Sequence, residues 1–295
     1  MAALSWALNL SSSNGQRTND LSGSDERPLA GQTAFITAGA AAISLAAAYL
    51  LVRDGAAVVL MGRTLGSLEE ARAQILAKYP AAKVELHEGD ACIEADVIAG
   101  VNKAHGVAGR LDIVVSAVGG GSFKPMLMLK PEEILGDLNL NIISAFLAAK
   151  HAVPLMRSGG SIVLISSIAG TTPFRYLLSY NTAKAGLEGF VRIAAEELGP
   201  RGIRVNAVRP GFTRSAGTSA MFDNPSIVQR TIDECPLGRV GEPEDIAPAI
   251  RFLAGPESSW MTGQSFAVDG GNELRKNPDL TDMVEQMFGA QALMA

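Results

Sequence analysis

Tyr180 and Lys184 lie four positions apart at the opening of a stretch with helical periodicity, and residues at that spacing share one face of a helix. A phenol titrates near pH 10, so bringing it to about 7 takes roughly 4 kcal/mol of preferential stabilisation of the phenolate. A fixed ammonium, together with the positive ring of an oxidised nicotinamide, is one source of that stabilisation. Taken alone, the pair fits an ordinary amphipathic helix more readily. Two hydroxyls, Ser166 and Ser167, stand a short distance upstream.

Two other groups of residues suit a nucleotide. Thr37-Ala38-Gly39-Ala40-Ala41-Ala42-Ile43-Ser44 is a turn of small residues leading into an Ala-rich helix, and such a turn lets backbone and a helix N-terminus approach a pyrophosphate. It also suits plain helix-on-sheet packing. Gly62-Arg63 follows the next apolar run, where an acid would read the ribose 2'-hydroxyl of NAD and a guanidinium the 2'-phosphate of NADP. A surface arginine at a strand end is the plainer reading of Arg63.

Positioning these groups requires a sheet. Short apolar runs at 33–37, 57–61, 84–88, 111–116, 161–166, 204–208 and 265–269 alternate with longer stretches of helical period. Most of these runs are continuously apolar, as strands covered on both faces are. The stretch 65–79 is rich in Ala, Leu and Glu. Leu187, Phe190, Val191, Ala194 and Leu198 repeat at helical spacing up to a stop at Gly199-Pro200. The alternation predicts an α/β fold: one Rossmann-like, doubly wound parallel sheet of about seven strands with helices on both faces. Ligands bind such sheets beyond the carboxyl ends of the strands.

With the order of elements in hand, the residues resemble the tetrad of classical short-chain dehydrogenases/reductases: Ser167, Tyr180 thirteen positions later, Lys184, and Asn141 within Asn139-Leu140-Asn141-Ile142-Ile143. Leu111-Asp112-Ile113-Val114-Val115, Gly202-Ile203-Arg204-Val205-Asn206-Ala207-Val208, Pro210-Gly211, Met261-Thr262-Gly263-Gln264 and Val268-Asp269-Gly270-Gly271 extend the resemblance over about 31–271.

The resemblance implies hydride transfer between NADP(H), with NAD(H) possible, and a carbonyl or alcohol substrate. Tyr180 would be the general acid/base. Lys184 would hold the nicotinamide ribose and depress the phenol, Ser167 would orient the carbonyl, and Asn141 would help place a relay water. Cofactor contacts would come from Ala38, Gly39, Ala42, Ile43, Arg63, Asp90, Ala91, Ala117, Gly119, Tyr180, Lys184, Pro210, Gly211 and Thr213, with Asp90 and Ala91 facing the adenine and Thr213 reaching the carboxamide. The family closes over substrate with the segment 215–235, here mildly apolar through Met221, Phe222 and Ile227. Arg214 and Arg230 in it could meet an acidic substrate, although loop arginines are more often just solvated.

Two departures stand out. The family pattern Thr-Gly-x-x-x-Gly-x-Gly is met by Ala38, Ala42 and Ser44, with Gly39 one position displaced. A Cβ in a left-handed backbone there would cost about 1–2 kcal/mol. The usual Asn-Asn-Ala-Gly is Ser116-Ala117-Val118-Gly119. Divergent enoyl reductases resemble the chain at Ser44-Leu45-Ala46, but their tyrosine and lysine lie further apart than four, so the chain is not assigned to them. The lost glycines motivate an alternative: a non-catalytic binding or assembly protein on the same fold, with weakened cofactor binding.

Composition narrows the setting. With 25 basic against 30 acidic residues and no cationic run, the net charge of -5 argues against nucleic acid and an anionic membrane as partners. Cys92 and Cys235 are 143 positions apart, and His87, His105 and His151 lack metal-ligand spacing, so no metal site is expected and a cytoplasmic, reducing setting is. No apolar run reaches the roughly 18–20 residues of a membrane span. Residues 1–29 are read as a flexible tail, 30–272 as the dinucleotide-binding domain, and 273–295 as a helical extension in which Leu280, Met283, Val284, Met287 and Phe288 repeat before Gly289. The extension is expected to pack on its own domain or a neighbour and to shape the substrate cleft. A homodimer or homotetramer is expected.

Overall fold

The seven apolar runs pair as parallel strands: β1 (Thr33–Ile36), β2 (Ala57–Gly62), β3 (Val84–Glu88), β4 (Leu111–Ser116), β5 (Met156–Ile165), β6 (Arg204–Pro210) and β7 (Ser265–Val268). The computed structural model describes residues 27–276 and 280–293. The strand order is β3-β2-β1-β4-β5-β6-β7. Chain progression therefore reverses between β1 and β4, which pair through Ala34↔Ile113 to Ile36↔Val115, and a crevice opens there at the carboxyl edge.

Helices cover both faces, as continuously apolar strands require. One core layer is built from Ala34, Ile36, Val58, Leu60, Ile113 and Val115 against α1 (Ala42–Arg53), α2 (Leu65–Lys78) and α9 (Pro243–Ala254). The alternate residues Phe35, Val59, Met61, Val114, Ile162 and Leu164 pack on the other face against α3 (Glu94–Ala108), α5 (Ser144–Ala152) and α6 (Leu178–Leu198). Between β4 and α5, α4 (Pro131–Leu138) runs into a π-helical segment, Asn139–Ile143. The stretch Pro131–Leu155 has the length and hydropathy of a membrane span, yet 44% of its apolar window is buried in the fold, as in a core helix. Beyond β6, α7 (Ser219–Phe222) and α8 (Pro225–Asp233) lie over the sheet edge, and α10 (Thr281–Phe288) follows β7.

Two boundaries differ from expectation. β5 starts at Met156, not 161: Met156 pairs with Leu111, and the register shifts before Ile113 pairs with Ser161. The exposed Arg157-Ser158-Gly159 hides that start in the sequence. The proposed flexible tail 1–29 lies outside the described residues except 27–29. There Leu29 is fully buried and its amide donates to Asp54 O at 2.9 Å, so Leu29 packs with the domain. In the extension, Leu280 and Val284 are buried while Met287 stays half-exposed, and Gly289 takes φ +82° just past the helix.

Candidate active site

α6 opens directly over the carboxyl ends of β4 and β5, and its first turns carry Tyr180 and Lys184. Lys184 is 3% exposed, and its Nζ donates to Ile165 O, at the end of β5, at 2.8 Å. Nζ lies 5.7 Å from the Tyr180 ring centroid. Ser167 starts the 168–170 turn; its hydroxyl accepts from Ala169 N at 3.1 Å and lies near enough to the Tyr180 phenol to act on its ionisation.

Asn141 is fully buried in the π segment, a helical irregularity frequent at functional sites. Its Nδ2 donates to Gly120 O at 2.7 Å and Asp137 O at 2.8 Å, while Oδ1 accepts from Gly120 N at 3.3 Å. Asn141 thus clamps the loop after β4. A Cβ at Gly119 would stand 2.9 Å from both Asn141 Oδ1 and Lys184 Nζ, and one at Gly121 only 2.5 Å from Tyr180 Cβ. Bare backbone at 119 and 121 is what lets the loop lie against these three side chains. All four expected tetrad residues therefore converge on one end of the sheet.

Burial acts on the two ionisable members in opposite senses. It pulls the Lys184 ammonium down to about 8, with Glu188 opposing. It pushes the Tyr180 phenol up, with the Ser167 hydroxyl opposing. The ammonium itself faces Ile165 O at the end of β5.

The expected cofactor residues line the same edge. Ala38 takes φ +50°, a left-handed backbone on a non-glycine residue. The single retained glycine of that turn has another duty: a Cβ on Gly39 would lie 2.6 Å from Leu60 Cβ, so Gly39 serves close packing on β2. Ala42 and Ile43 open α1, whose N-cap residue Ala41 makes no side-chain cap and whose first turn holds no acid. Ala117 N donates to Thr37 Oγ1 at 3.0 Å across the β1/β4 crevice. Arg63, exposed at the end of β2, makes no ion pair among the described residues. It opposes the burial and the Asp90 charge that together push the Cys92 thiol up to about 11, so its charge is felt at the turn holding Asp90 and buried Ala91.

At the far side, Gly211 N donates to Val268 O at 3.1 Å after Pro210, and buried Thr213 bridges to Gly241. The two lid arginines are committed to carboxylates, Arg214 to Glu242 at 3.2 Å and Arg230 to Asp282 at 2.7 Å. No group of three His, Cys, Asp or Glu side chains among the described residues is placed to hold a metal. Sequence reading passed over Gly120, Gly121, Asp137 and Glu188. The triplet Gly119-Gly120-Gly121 at a strand end was the available signal for the first two; nothing local marks the two acids.

A family model described as Enoyl-(Acyl carrier protein) reductase matches residues 38–273. The chain is 33% identical over 252 residues to "Dehydrogenase/reductase SDR family member 4" of Oryctolagus cuniculus, covering 84% of this chain and 96% of that protein. The chain belongs to the short-chain dehydrogenase/reductase family. It is also 33% identical over 244 residues to a "3alpha-hydroxysteroid dehydrogenase" of Mediterraneibacter gnavus, covering 82% and 97%. A solved short-chain type dehydrogenase/reductase from Mycobacterium ulcerans superposes with a TM-score of 0.86 at 32% identity, covering 90% and 98%. The protein is thus an oxidoreductase of a family that generally uses NAD(P).

The residues present fit such a dinucleotide. The first turn of α1 has neither a side-chain cap nor an acid, which leaves its amides for a pyrophosphate, and Arg63 makes no ion pair among the described residues at the β2 end. The strain at Ala38 gives a test. Ala38→Gly removes a left-handed Cβ worth about 1–2 kcal/mol against about 0.4–1 kcal/mol of extra unfolded-chain entropy. Thermal denaturation should show a variant as stable as the parent or more so, with tighter dinucleotide binding. A clear drop in melting temperature would show that the turn is not strained.

Proposed function

We propose that the protein interconverts a carbonyl and an alcohol with NADP(H) as the preferred cofactor, NAD(H) being the weaker alternative, and with Tyr180 as general acid/base. One observation carries this reading: the buried Lys184 ammonium, one helical turn past Tyr180, is bonded to Ile165 O at the end of β5, two residues before Ser167. When bound, the dinucleotide supplies or accepts hydride at C4 of the nicotinamide and, when oxidised, brings a positive ring to the site. In reduction Tyr180 gives its phenol proton to the substrate oxygen, and in oxidation it takes that proton from the hydroxyl. Ser167 orients the same oxygen by hydrogen bonding. Lys184 holds the ribose hydroxyls and keeps positive charge near the phenol. The Asn141 side chain fixes the 119–121 loop, which leaves the π-register main chain as the part of Asn141 able to hold a relay water.

Ala38, Gly39, Ala42 and Ile43 would border the pyrophosphate, Arg63 the 2'-phosphate, Asp90 and Ala91 the adenine, Ala117 and Gly119 the nucleoside, and Pro210, Gly211 and Thr213 the carboxamide side. The relatives' names include a hydroxysteroid dehydrogenase, which supports a secondary alcohol or its ketone as the substrate class. The non-catalytic alternative rests on Ala38, Ala42 and Ser44; convergence of the tetrad favours the enzyme. A cytoplasmic homo-oligomer is part of the proposal. Leu135, Ile143, Phe146 and Ile193 are large apolar side chains left exposed on α4, α6 and the helix between them, and light scattering of the purified chain checks its mass.

Tyr180→Phe should abolish turnover of any carbonyl or alcohol the parent accepts while leaving dinucleotide binding in place. Residual turnover near the parent rate would remove Tyr180 from the chemistry. For the cofactor, paired fluorescence titrations of Arg63→Leu should show NADPH weakened about tenfold or more, as expected for loss of a charge-assisted contact, and NADH little changed. Equal losses for both would make Arg63 a surface residue, and failure of the parent to bind either nucleotide would overturn the oxidoreductase mechanism proposed here.

A further inference from the structure

α6 carries a third ionisable residue in the same register. Glu188 is one turn past Lys184 and two past Tyr180, and it is 7% exposed. Burying a carboxylate is costly unless it is paired and hydrogen-bonded. Yet Glu188 Oε1 is fully buried with no hydrogen-bond partner. Its Oε2 lies 3.7 Å from Arg209 Nη1, beyond hydrogen-bond range. Arg209 directs its donors elsewhere: Nε and Nη2 to Glu273 at 2.9 and 3.0 Å, and Nη1 to Ser265 O at 2.9 Å. The carboxylate is also held by shape. A Cβ on Gly170 would stand 3.1 Å from Glu188 Cγ and from Lys184 O, so the side chain is wedged between α6 and the 168–170 turn.

Local stability does not account for such a residue, because a neutral side chain of similar volume would fill the space without stranding an oxygen. A fixed negative charge here has two cationic neighbours: Arg209, 3.7 Å away but already paired with Glu273 by two hydrogen bonds, and the buried ammonium one turn back on α6, which has no other carboxylate partner among the described residues. The groups facing Lys184 are otherwise uncharged: the Tyr180 ring on α6, Ile165 O on β5, and the amide of Asn141 from the π segment. Asp137, on the helix before that segment, is committed to Ser122 N and Ser179 Oγ. Arg209 on β6 and Glu273 after β7 form an ion pair at one remove.

We infer that Glu188 is a positioning residue for Lys184, its carboxylate held on α6 to keep the buried ammonium charged and directed at the end of β5. The purpose of that charge rests on the oxidoreductase reading above; the inference about Glu188 itself does not. Because burial already draws Lys184 down to about 8 against the pull of Glu188, loss of the carboxylate discharges the lysine at a lower pH.

The test uses the free protein. The Cε resonance of Lys184 in carbon-13-lysine-labelled protein, assigned by its loss in Lys184→Arg, is followed from neutral to alkaline pH. In Glu188→Gln and Glu188→Met the midpoint should fall by about one pH unit, as expected when one nearby opposite charge is removed, and in Glu188→Asp it should stay near the parent's. Circular dichroism establishes which variants fold. An unchanged midpoint in either neutral variant that folds overturns the inference. So does failure of both neutral variants to fold, which would make Glu188 a structural charge. Since neither substrate nor nucleotide is present, a negative result here leaves the hydride-transfer reading standing, and a failed nucleotide titration leaves this one standing.

Discussion

The ammonium of Lys184 has to be dry and charged at once, and the site is built around where it can go. A buried cation needs acceptors, and the sheet offers one at the end of β5. The last pair of that strand with β6 is Ile165↔Val208, so the Ile165 carbonyl on the β4 side is available to Lys184 Nζ. Reaching it brings α6 down on the strand ends, and the 119–121 loop can share that space only as bare backbone. Asn141 then holds the loop with two hydrogen bonds to Gly120 and is itself anchored by a third to Asp137 O on α4. Tyr180 follows Lys184 into place because both belong to one helix face, and its phenol finds Ser167 across the gap. Moving the lysine would disturb every one of these contacts.

The nucleotide side of the crevice is governed by a different constraint, close approach of backbone. Gly39 satisfies it against β2. Ala38 satisfies the required turn with a left-handed backbone despite its Cβ, and persists because Gly39 N→Met61 O and Ala41 N→Ala38 O close the turn on both sides. Replacing glycine by alanine here costs strain of about 1–2 kcal/mol, a small part of the stability a sheet of seven strands can provide. The turn keeps its shape, and what changes is the width of the approach to α1.

Much of this was legible in the sequence because burial on both faces writes the central strands as unbroken apolar runs, while the edge strand β3 alternates buried and half-buried residues over Val84-Glu85-Leu86-His87. The start of β5 was not, since Arg157-Ser158-Gly159 projects from an exposed part of the strand and carries no apolar signature. The Tyr180/Lys184 pair was legible through spacing, because two residues four apart on a helix is a local constraint, whereas Ser167 and Asn141 joined it through the family resemblance. Glu188 and Asp137 were illegible for the opposite reason. An acid on a helix reads as solvated, and only the packing of α6 on the 168–170 turn and on α4 reveals that these two are buried. Leu29 likewise looks like the end of a polar tail until Asp54 O takes its amide.

The loops after β4 and β5 are bound to one another through a residue that is itself strained. Tyr176 takes φ +69°, a conformation a bulky side chain holds only when its surroundings over-determine it. Three elements do so here: Lys124 N donates to its carbonyl at 2.8 Å, Phe123 packs edge-on to its ring at 6.3 Å, and its hydroxyl meets Thr281 Oγ1 of the C-terminal extension at 3.0 Å. The extension also reaches the lid through Arg230 and Asp282, but that pair is exposed and worth at most about 1 kcal/mol. Leu280 and Val284, both essentially fully buried, each contribute about 1.5–3 kcal/mol. The extension is therefore held mainly by its apolar contacts, and its polar bonds to Tyr176 and α8 set the register in which it lies. Displacing the extension would release Tyr176 from one of its three restraints, four residues ahead of Tyr180 on the same chain segment.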